Sequence, residues 1–170
     1  MTAIAPSAAE AVQYAGGWLF DQVLAGWDVT VATAEAGDPR PLDILGVTAR
    51  DFDEVFAAPL LGPRLRAIAL RADLYRDDER VRRLVLAAAE SGRAEIRLWG
   101  EVRLWGDICQ ADFDGSGDPV SHRLSLAARA FKAQALAAAD LPDAPLAETE
   151  VFRRGELRRP RLAAVSLQNV

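Results

Sequence analysis

Arg66-Ala67-Ile68-Ala69-Leu70-Arg71-Ala72-Asp73 is the stretch of this 170-residue chain that decides its fold class. Its alternating pattern predicts a β-strand. The residues that follow predict a helix from Asp77 to Gly92, with acidic side chains in its first turn, and a second strand over 94–99. A strand, a helix and another strand in succession are typical of a sheet that is covered by helices.

The flanking segments extend this pattern in both directions. Ser7 and Glu10 match a capping box, so a helix begins there. Strands are predicted over 28–33 and 42–46, and the short turn between them favours an antiparallel hairpin or a pair of neighbours. Asp118 and Pro119 fit the cap and first position of the last long helix, in which Lys132 lies off the apolar stripe.

These elements together predict the domain organisation. The fold class is α/β (or α+β), with a mixed sheet of about four to five strands covered by helices. The length suits one domain, which we place at residues 1–140. Residues 141–170 are predicted to form a C-terminal tail or extension that packs on this domain.

Composition excludes several classes of protein. The net charge of −5 makes nucleic acid an unlikely partner. No apolar run is long enough to span a membrane, and the N-terminus lacks the pattern of a secretory signal, so we expect a cytoplasmic protein. Cys109 is the only cysteine and His122 the only histidine, so an intramolecular disulfide is excluded and no cofactor or metal is expected.

A doubled phrase near the middle of the chain suggests a contact surface. Residues 96–101 and 102–107 repeat the order apolar, Arg, Leu, Trp, Gly, acidic. Alternation along a strand places four side chains on one face, here called the Arg–Trp face: Arg97, Trp99, Arg103 and Trp105. Such a face is typical of a surface that binds a partner, or of a sheet face that a helix covers.

A second candidate contact surface lies near the C-terminus. Five arginines occur within nine residues: Arg153, Arg154, Arg158, Arg159 and Arg161. They would suit phosphate or an acidic protein surface. The alternative is a solvated edge that compensates the acidic body of the protein.

The candidates for metal binding and nucleophilic catalysis are weak. Asp112, Asp114 and Ser116 match the first oxygen positions of a calcium loop, but Arg123 stands where that loop needs a bidentate Glu. We therefore interpret the segment as a turn. Cys109 and His122 could form a nucleophile and its base, but acidic neighbours disfavour a thiolate, and His122 is predicted in the first turn of a helix.

The sequence thus favours a non-enzymatic binding or regulatory module that acts through a protein partner or through self-association. One alternative is an enzyme of small molecules that uses loop carboxylates, with or without a divalent ion; the candidate acids are Asp73, Asp107, Asp112 and Asp114. Another alternative is a homo-oligomeric assembly subunit that buries the Arg–Trp face.

Overall fold

The computed structural model describes residues 1–57, 67–90, 95–99, 113–114, 119–154 and 156–157. Within these residues, seven strands form one mixed sheet in the order β3-β2-β1-β4-β5-β8-β7. The strands are β1 (Thr2–Ala5), β2 (Thr30–Thr33), β3 (Thr48–Asp51), β4 (Ala67–Arg71), β5 (Glu95–Trp99), β7 (Pro119–Arg123) and β8 (Thr149–Arg154). A separate antiparallel pair joins β6 (Phe113–Asp114) to β9 (Glu156–Leu157).

Helices cover both faces of this sheet. They are α1 (Ala8–Leu24), α2 (Arg40–Ile44), α3 (Phe52–Ala57), α4 (Ala72–Asp77), α5 (Glu79–Glu90) and α6 (Leu126–Ala138). One apolar core lies between the sheet and α1, α2 and α6, and a second lies beneath α3, α4 and α5. The predicted α/β fold with a sheet covered by helices is therefore correct, but the sheet has seven strands instead of four to five.

The first five strands of the sheet order are parallel, whereas β8 runs against them and pairs antiparallel with both β5 and β7. The strands that the prediction lacks are β1, β3, β7 and β8; the first of them, β1, lies at the N-terminus of the chain. Its residues Ala3, Ile4 and Ala5 are fully buried. A strand buried on both faces reads as a continuous apolar run and shows no alternation.

The predicted strand over 42–46 is wrong, because α2 occupies this segment. Pro41 at the start of α2 suits a first helical turn, where its missing N–H costs nothing. Gly46 follows with a φ of 71°, a left-handed conformation that glycine adopts readily, and ends the helix. The hairpin is wrong too, because β2 pairs in parallel with β3, Thr48–Asp51, after this helix.

The predicted start of the last helix is also wrong. Pro119 begins strand β7, which lies at the edge of the sheet. Proline is tolerated there because its missing N–H is not needed for a hydrogen bond between strands. Helix α6 begins after Ser125, whose side-chain oxygen accepts a hydrogen bond from the Ala128 amide at 3.0 Å. Strand β8 lies between β5 and β7, so residues beyond the predicted domain boundary at 140 belong to the main sheet.

Candidate active site at the carboxyl edge of the parallel strands

The sheet order places a crevice between the carboxyl ends of β1 and β4. From β1 the chain proceeds outward through β2 to β3, and then returns to β4 on the other side of β1. Helix α1 packs in one core and α5 in the other. Ligands of open α/β sheets bind where the strand order reverses in this way. The residues that follow β1 and β4 are therefore the first candidates for a functional site.

Three charged side chains meet at this crevice; we call them the edge triad: Glu10, Arg71 and Asp73. Glu10 lies in the first turn of α1, Arg71 ends β4, and Asp73 begins α4. Arg71 Nη1 lies 2.5 Å from Glu10 Oε2, and Arg71 Nη2 lies 2.7 Å from Asp73 Oδ2. One guanidinium thus bridges two carboxylates from opposite sides of the switch point.

Burial and charge act in opposite directions on Glu10. Its side chain is only 17% exposed. Burial raises the pKa of Glu10 above its ordinary value, although the charge of Arg71 and the hydrogen bond from it act to lower the pKa. A carboxyl of this kind binds a proton at a higher pH than an exposed one. This property suits proton transfer in catalysis.

Trp99 borders the edge triad from the neighbouring strand. It lies opposite Arg71 in the register of β4 and β5, so both side chains share one sheet face. Trp99 is 2% exposed, and its indole N–H interacts with the Glu10 carboxyl, which acts to lower the pKa of Glu10. Asp73 Oδ1 is buried and has no hydrogen-bond partner among the described residues. Buried polar atoms without partners are rare and frequently mark a functional site.

A cleft that the edge triad does not line lies at the carboxyl ends of β2 and β3. Its volume is about 280 Å³. Ala8, at the start of α1, lies in its wall together with Thr33, Asp38, Asp51 and Glu54. The cleft is large enough for a small ligand group. Its wall carries three carboxylates against one guanidinium, that of Arg50, which pairs with Glu54 at 3.5 Å.

The edge triad does not fit a metal centre. Among the described residues, no group of three or more His, Cys, Asp or Glu side chains is placed to hold a metal ion. The two carboxylates of the edge triad are already bridged by a guanidinium, which carries a permanent positive charge and no lone pair for a metal.

The residues of the predicted Arg–Trp face are placed in the interior where the structure describes them. Trp99 lies in the core under α1. The Arg97 guanidinium lies 5.0 Å from the ring centre of Trp18 and 3.1 Å from Glu95. Arg103 and Trp105 lie outside the described residues.

The predicted arginine cluster is described only at its start. Arg153 and Arg154 are exposed at the end of β8. Arg158, Arg159 and Arg161 lie outside the described residues, as do Asp107, Asp112 and Ser116. Asp114 belongs to β6. Among the predicted loop carboxylates, only Asp73 is placed at the candidate site.

His122 lies in strand β7, not in the first turn of a helix as predicted, because α6 begins seven residues later than expected. Its Nε2 lies 2.8 Å from Asp21 Oδ2. Ser125 Oγ donates to Asp21 Oδ1 at 2.6 Å. Asp21 thus joins the two residues, and Ser125 caps α6. Cys109 lies outside the described residues, so its pairing with His122 stays untested.

Sequence reasoning interpreted Glu10 only as half of a capping box. The Ser7 half is correct, since Ser7 Oγ accepts from the Glu10 amide at 3.3 Å. The Glu10 carboxylate, however, bonds to Arg71 instead of returning to the cap. The available signal was positional: Glu10 and Arg71 each stand within five residues of the carboxyl end of a buried strand.

Comparison with known proteins adds information about the fold. No family model matches the chain, and no curated protein matches its sequence. Solved structures do share its architecture. One is a triple mutant of a deacetylase involved in the teicoplanin biosynthetic pathway. It is 17% identical, with a TM-score of 0.67, over 94% of this chain and 98% of that chain.

Two further structures agree with this likeness. The zinc-inhibited form of a teicoplanin deacetylase is 14% identical, with a TM-score of 0.65, over 94% of this chain and 98% of that chain. An A40926 pseudoaglycone deacetylase is 17% identical, with a TM-score of 0.61, over 91% of this chain and 96% of that chain. At such identities the likeness shows the fold.

These neighbours correct the predicted function. All three of these proteins are named as deacetylases, two of teicoplanin and one of A40926 pseudoaglycone. The prediction of a non-enzymatic regulatory module that binds proteins is therefore wrong, and the alternative of a small-molecule enzyme is favoured.

None of the described helices is both long and apolar enough to cross a membrane.

Proposed function

We propose that this chain is an enzyme of small molecules that removes an acyl group at the carboxyl edge of its parallel sheet. The observation that carries the proposal is the edge triad, two carboxylates held by Arg71 at the switch point of the fold. The deacetylases that share this architecture support the reaction class. Fold likeness alone is an analogy, so the site must carry the argument.

Glu10 is the candidate general base. Burial raises the pKa of its carboxyl, so it accepts a proton more readily than an exposed Glu does. In the proposed reaction, Glu10 takes a proton from water while the water oxygen attacks the acyl carbon. The carbon–nitrogen bond then breaks, the proton passes to the leaving amine, and the acyl group departs as a carboxylic acid.

Asp73 and the cleft supply substrate binding in this proposal. Asp73 Oδ1 is a buried acceptor that has no partner among the described residues, which suits an N–H or O–H of the substrate. The cleft of about 280 Å³ beside Ala8 accommodates a further part of the molecule. Its excess of carboxylates favours a cationic group or one rich in hydroxyls.

Hydrolysis of a chromogenic acyl probe tests the proposal. The purified chain is incubated with p-nitroacetanilide and p-nitrophenyl acetate, and chromophore release is compared with buffer. We expect Glu10→Gln to reduce the rate at least tenfold. Glu79→Gln is the matched control, since Glu79 is 69% exposed on α5 and belongs to no part of the site. Equal rates for Glu10→Gln and the wild type, or no hydrolysis by the wild type of either probe or of acetylated teicoplanin-type compounds, would contradict the proposal.

The wall of the cleft offers an independent test. Gly37 lies in the wall of the cleft, and a Cβ added there meets no atom within 4 Å, so the fold tolerates a large side chain at this position. Gly37→Trp is expected to raise KM for the acyl probe at least fivefold while leaving the unfolding transition in place. Gly37→Ala is the conservative control. An unchanged KM for Gly37→Trp would exclude the cleft from the substrate site.

A further inference from the structure

The edge triad contains two carboxylates and one cation. Many metal centres have the same charge pattern, but here the Arg71 guanidinium takes the place of the metal ion. Arg71 presents its two terminal nitrogens to Glu10 Oε2 and Asp73 Oδ2, at 2.5 Å and 2.7 Å. The two acids come from α1 and α4, which lie on opposite sides of the switch point. The Arg71 guanidinium bridges them.

We propose that Arg71 is the resident cation of this site, and that it excludes zinc from the position between Glu10 and Asp73. This inference concerns the same site as the proposed function. It rests on that proposal only for the assignment of the edge triad as the active site. A permanent guanidinium neutralises the carboxylates that a divalent ion would need, and repels that ion. Zinc would have to displace two charge-assisted hydrogen bonds before it could bind.

The ligand chemistry supports the same conclusion. Zinc in proteins takes three or four ligands, mostly imidazole, thiolate and carboxylate. The edge triad offers two carboxylates. The only histidine of the chain, His122, pairs with Asp21 toward the opposite end of α1 instead. Among the described residues, a zinc ion at the edge triad would therefore have only the two carboxylates as ligands, and it could reach them only in place of Arg71.

Arg71 is then a positioning residue for both acids. Its charge keeps two carboxylates close that would otherwise repel each other. The two carboxylates in turn raise the pKa of Arg71 above its ordinary value, against the effect of burial, which lowers it. The edge triad carries a net charge of about −1 with all three groups ionised, which favours a substrate group with hydrogen-bond donors.

Zinc titration by isothermal calorimetry tests the inference without any turnover. All proteins carry Cys109→Ser and no affinity tag, which removes the single thiol. We expect no zinc uptake at the edge triad by this background protein or by Arg71→Lys, which keeps the cation. Arg71→Ala and Arg71→Gln are expected to gain at least tenfold in zinc affinity. That gain should disappear when Glu10→Gln and Asp73→Asn are added.

Two results would overturn the inference. One is a zinc ion bound by the background protein and lost in Glu10→Gln, a measurement that needs no Arg71 variant to fold. The other is a folded Arg71→Ala or Arg71→Gln protein, verified by circular dichroism, with no gain in zinc affinity. Zinc uptake by a protein that hydrolyses the acyl probe defeats this inference alone. Zinc exclusion by a protein that hydrolyses nothing defeats the proposed function alone.

Discussion

At the scale of single residues, Gly17 shows how closely the core is packed. A Cβ added to Gly17 would lie 2.1 Å from Leu124 Cδ2 and 2.4 Å from Leu124 Cγ. The sequence places Gly16 and Gly17 inside a helix, where glycine costs about 1 kcal/mol relative to Ala. Close contact with Leu124 explains why glycine is needed at the second of these positions.

Gly17→Ala is expected to destabilise the protein by about 1–3 kcal/mol, because the new methyl group overpacks the contact with Leu124. Gly16→Ala is the matched control, since the atoms nearest to its Cβ, Leu45 Cδ1 and Val12 Cγ1, would both lie 3.4 Å away. Urea unfolding measures both. Adding Leu124→Ala to Gly17→Ala should recover part of the loss, and no recovery would show that the strain has another source.

Trp99→Ala is expected to lower the free energy of unfolding by about 3–5 kcal/mol, because the indole fills the core at 2% exposure. Trp27→Ala removes an indole that is 37% exposed, and should cost less than about 1 kcal/mol. Chemical denaturation with circular dichroism compares the two variants. Equally small losses in the free energy of unfolding for both variants would indicate that the Trp99 side chain lies at the surface.

At the scale of elements, a buried ion pair fastens α1 to β8 and α6. Lys132 and Glu150 are 1% and 4% exposed, and Lys132 Nζ lies 2.6 Å from Glu150 Oε1. Glu150 also accepts from the amides of Gly17 and Trp18, at 2.9 Å and 2.8 Å. Lys132 donates to the Gln13 carbonyl at 2.8 Å. In an ideal helix the Gln13 carbonyl would accept a hydrogen bond from the Gly17 amide. In α1 these two backbone groups bond to Lys132 and Glu150 respectively.

Lys132→Met is expected to destabilise the protein by about 3–5 kcal/mol, because Glu150 is left as a buried charge without its partner. The double variant Lys132→Met/Glu150→Gln removes both charges and should recover part of this loss. A thermal or urea double-mutant cycle provides the comparison. If the double variant is as unstable as the sum of the single variants, the two residues do not act as a pair.

Asp21 of α1 bonds to His122 of β7 and to Ser125, the cap of α6, and the stability that these contacts provide depends on pH. Burial raises the pKa of Asp21, but hydrogen bonds from Ser125 and His122 outweigh it and leave the pKa below its ordinary value of 3.8. A depressed pKa in the folded state stabilises the protein above pH 3.8, and that contribution is lost as the pH falls through the lower, folded-state pKa. Asp21→Asn should therefore flatten the acid side of the stability profile, as measured by urea unfolding between pH 2 and 6. Parallel profiles for Asp21→Asn and wild type would contradict this.

At the scale of the whole molecule, the segment after α6 completes the sheet. Phe152 of β8 is fully buried, and its ring centre lies 5.1 Å from that of Trp18 in α1. The predicted boundary at residue 140 would remove this ring and Glu150 together. A chain that ends at 140 is expected to lose its cooperative unfolding transition, because the face of α1 towards β8 would be exposed. A sharp transition and dispersed NMR amide signals from residues 1–140 alone would instead support the predicted boundary.

The sequence by itself determined the fold class, the capped start of α1, and the strands that end at Arg71 and Trp99. These features depend on local periodicity and capping, which neighbouring residues set without help from the rest of the chain. Local pattern misassigned α2 and the start of α6, where Pro41 and Pro119 fit more than one element. Only the tertiary structure decided that β1 lies between β2 and β4 in the sheet and that Lys132 is buried. Only it brought Glu10 to Arg71, 61 residues later in the chain, because the order of parallel strands, and hence which strand ends become neighbours, is set by packing between distant segments.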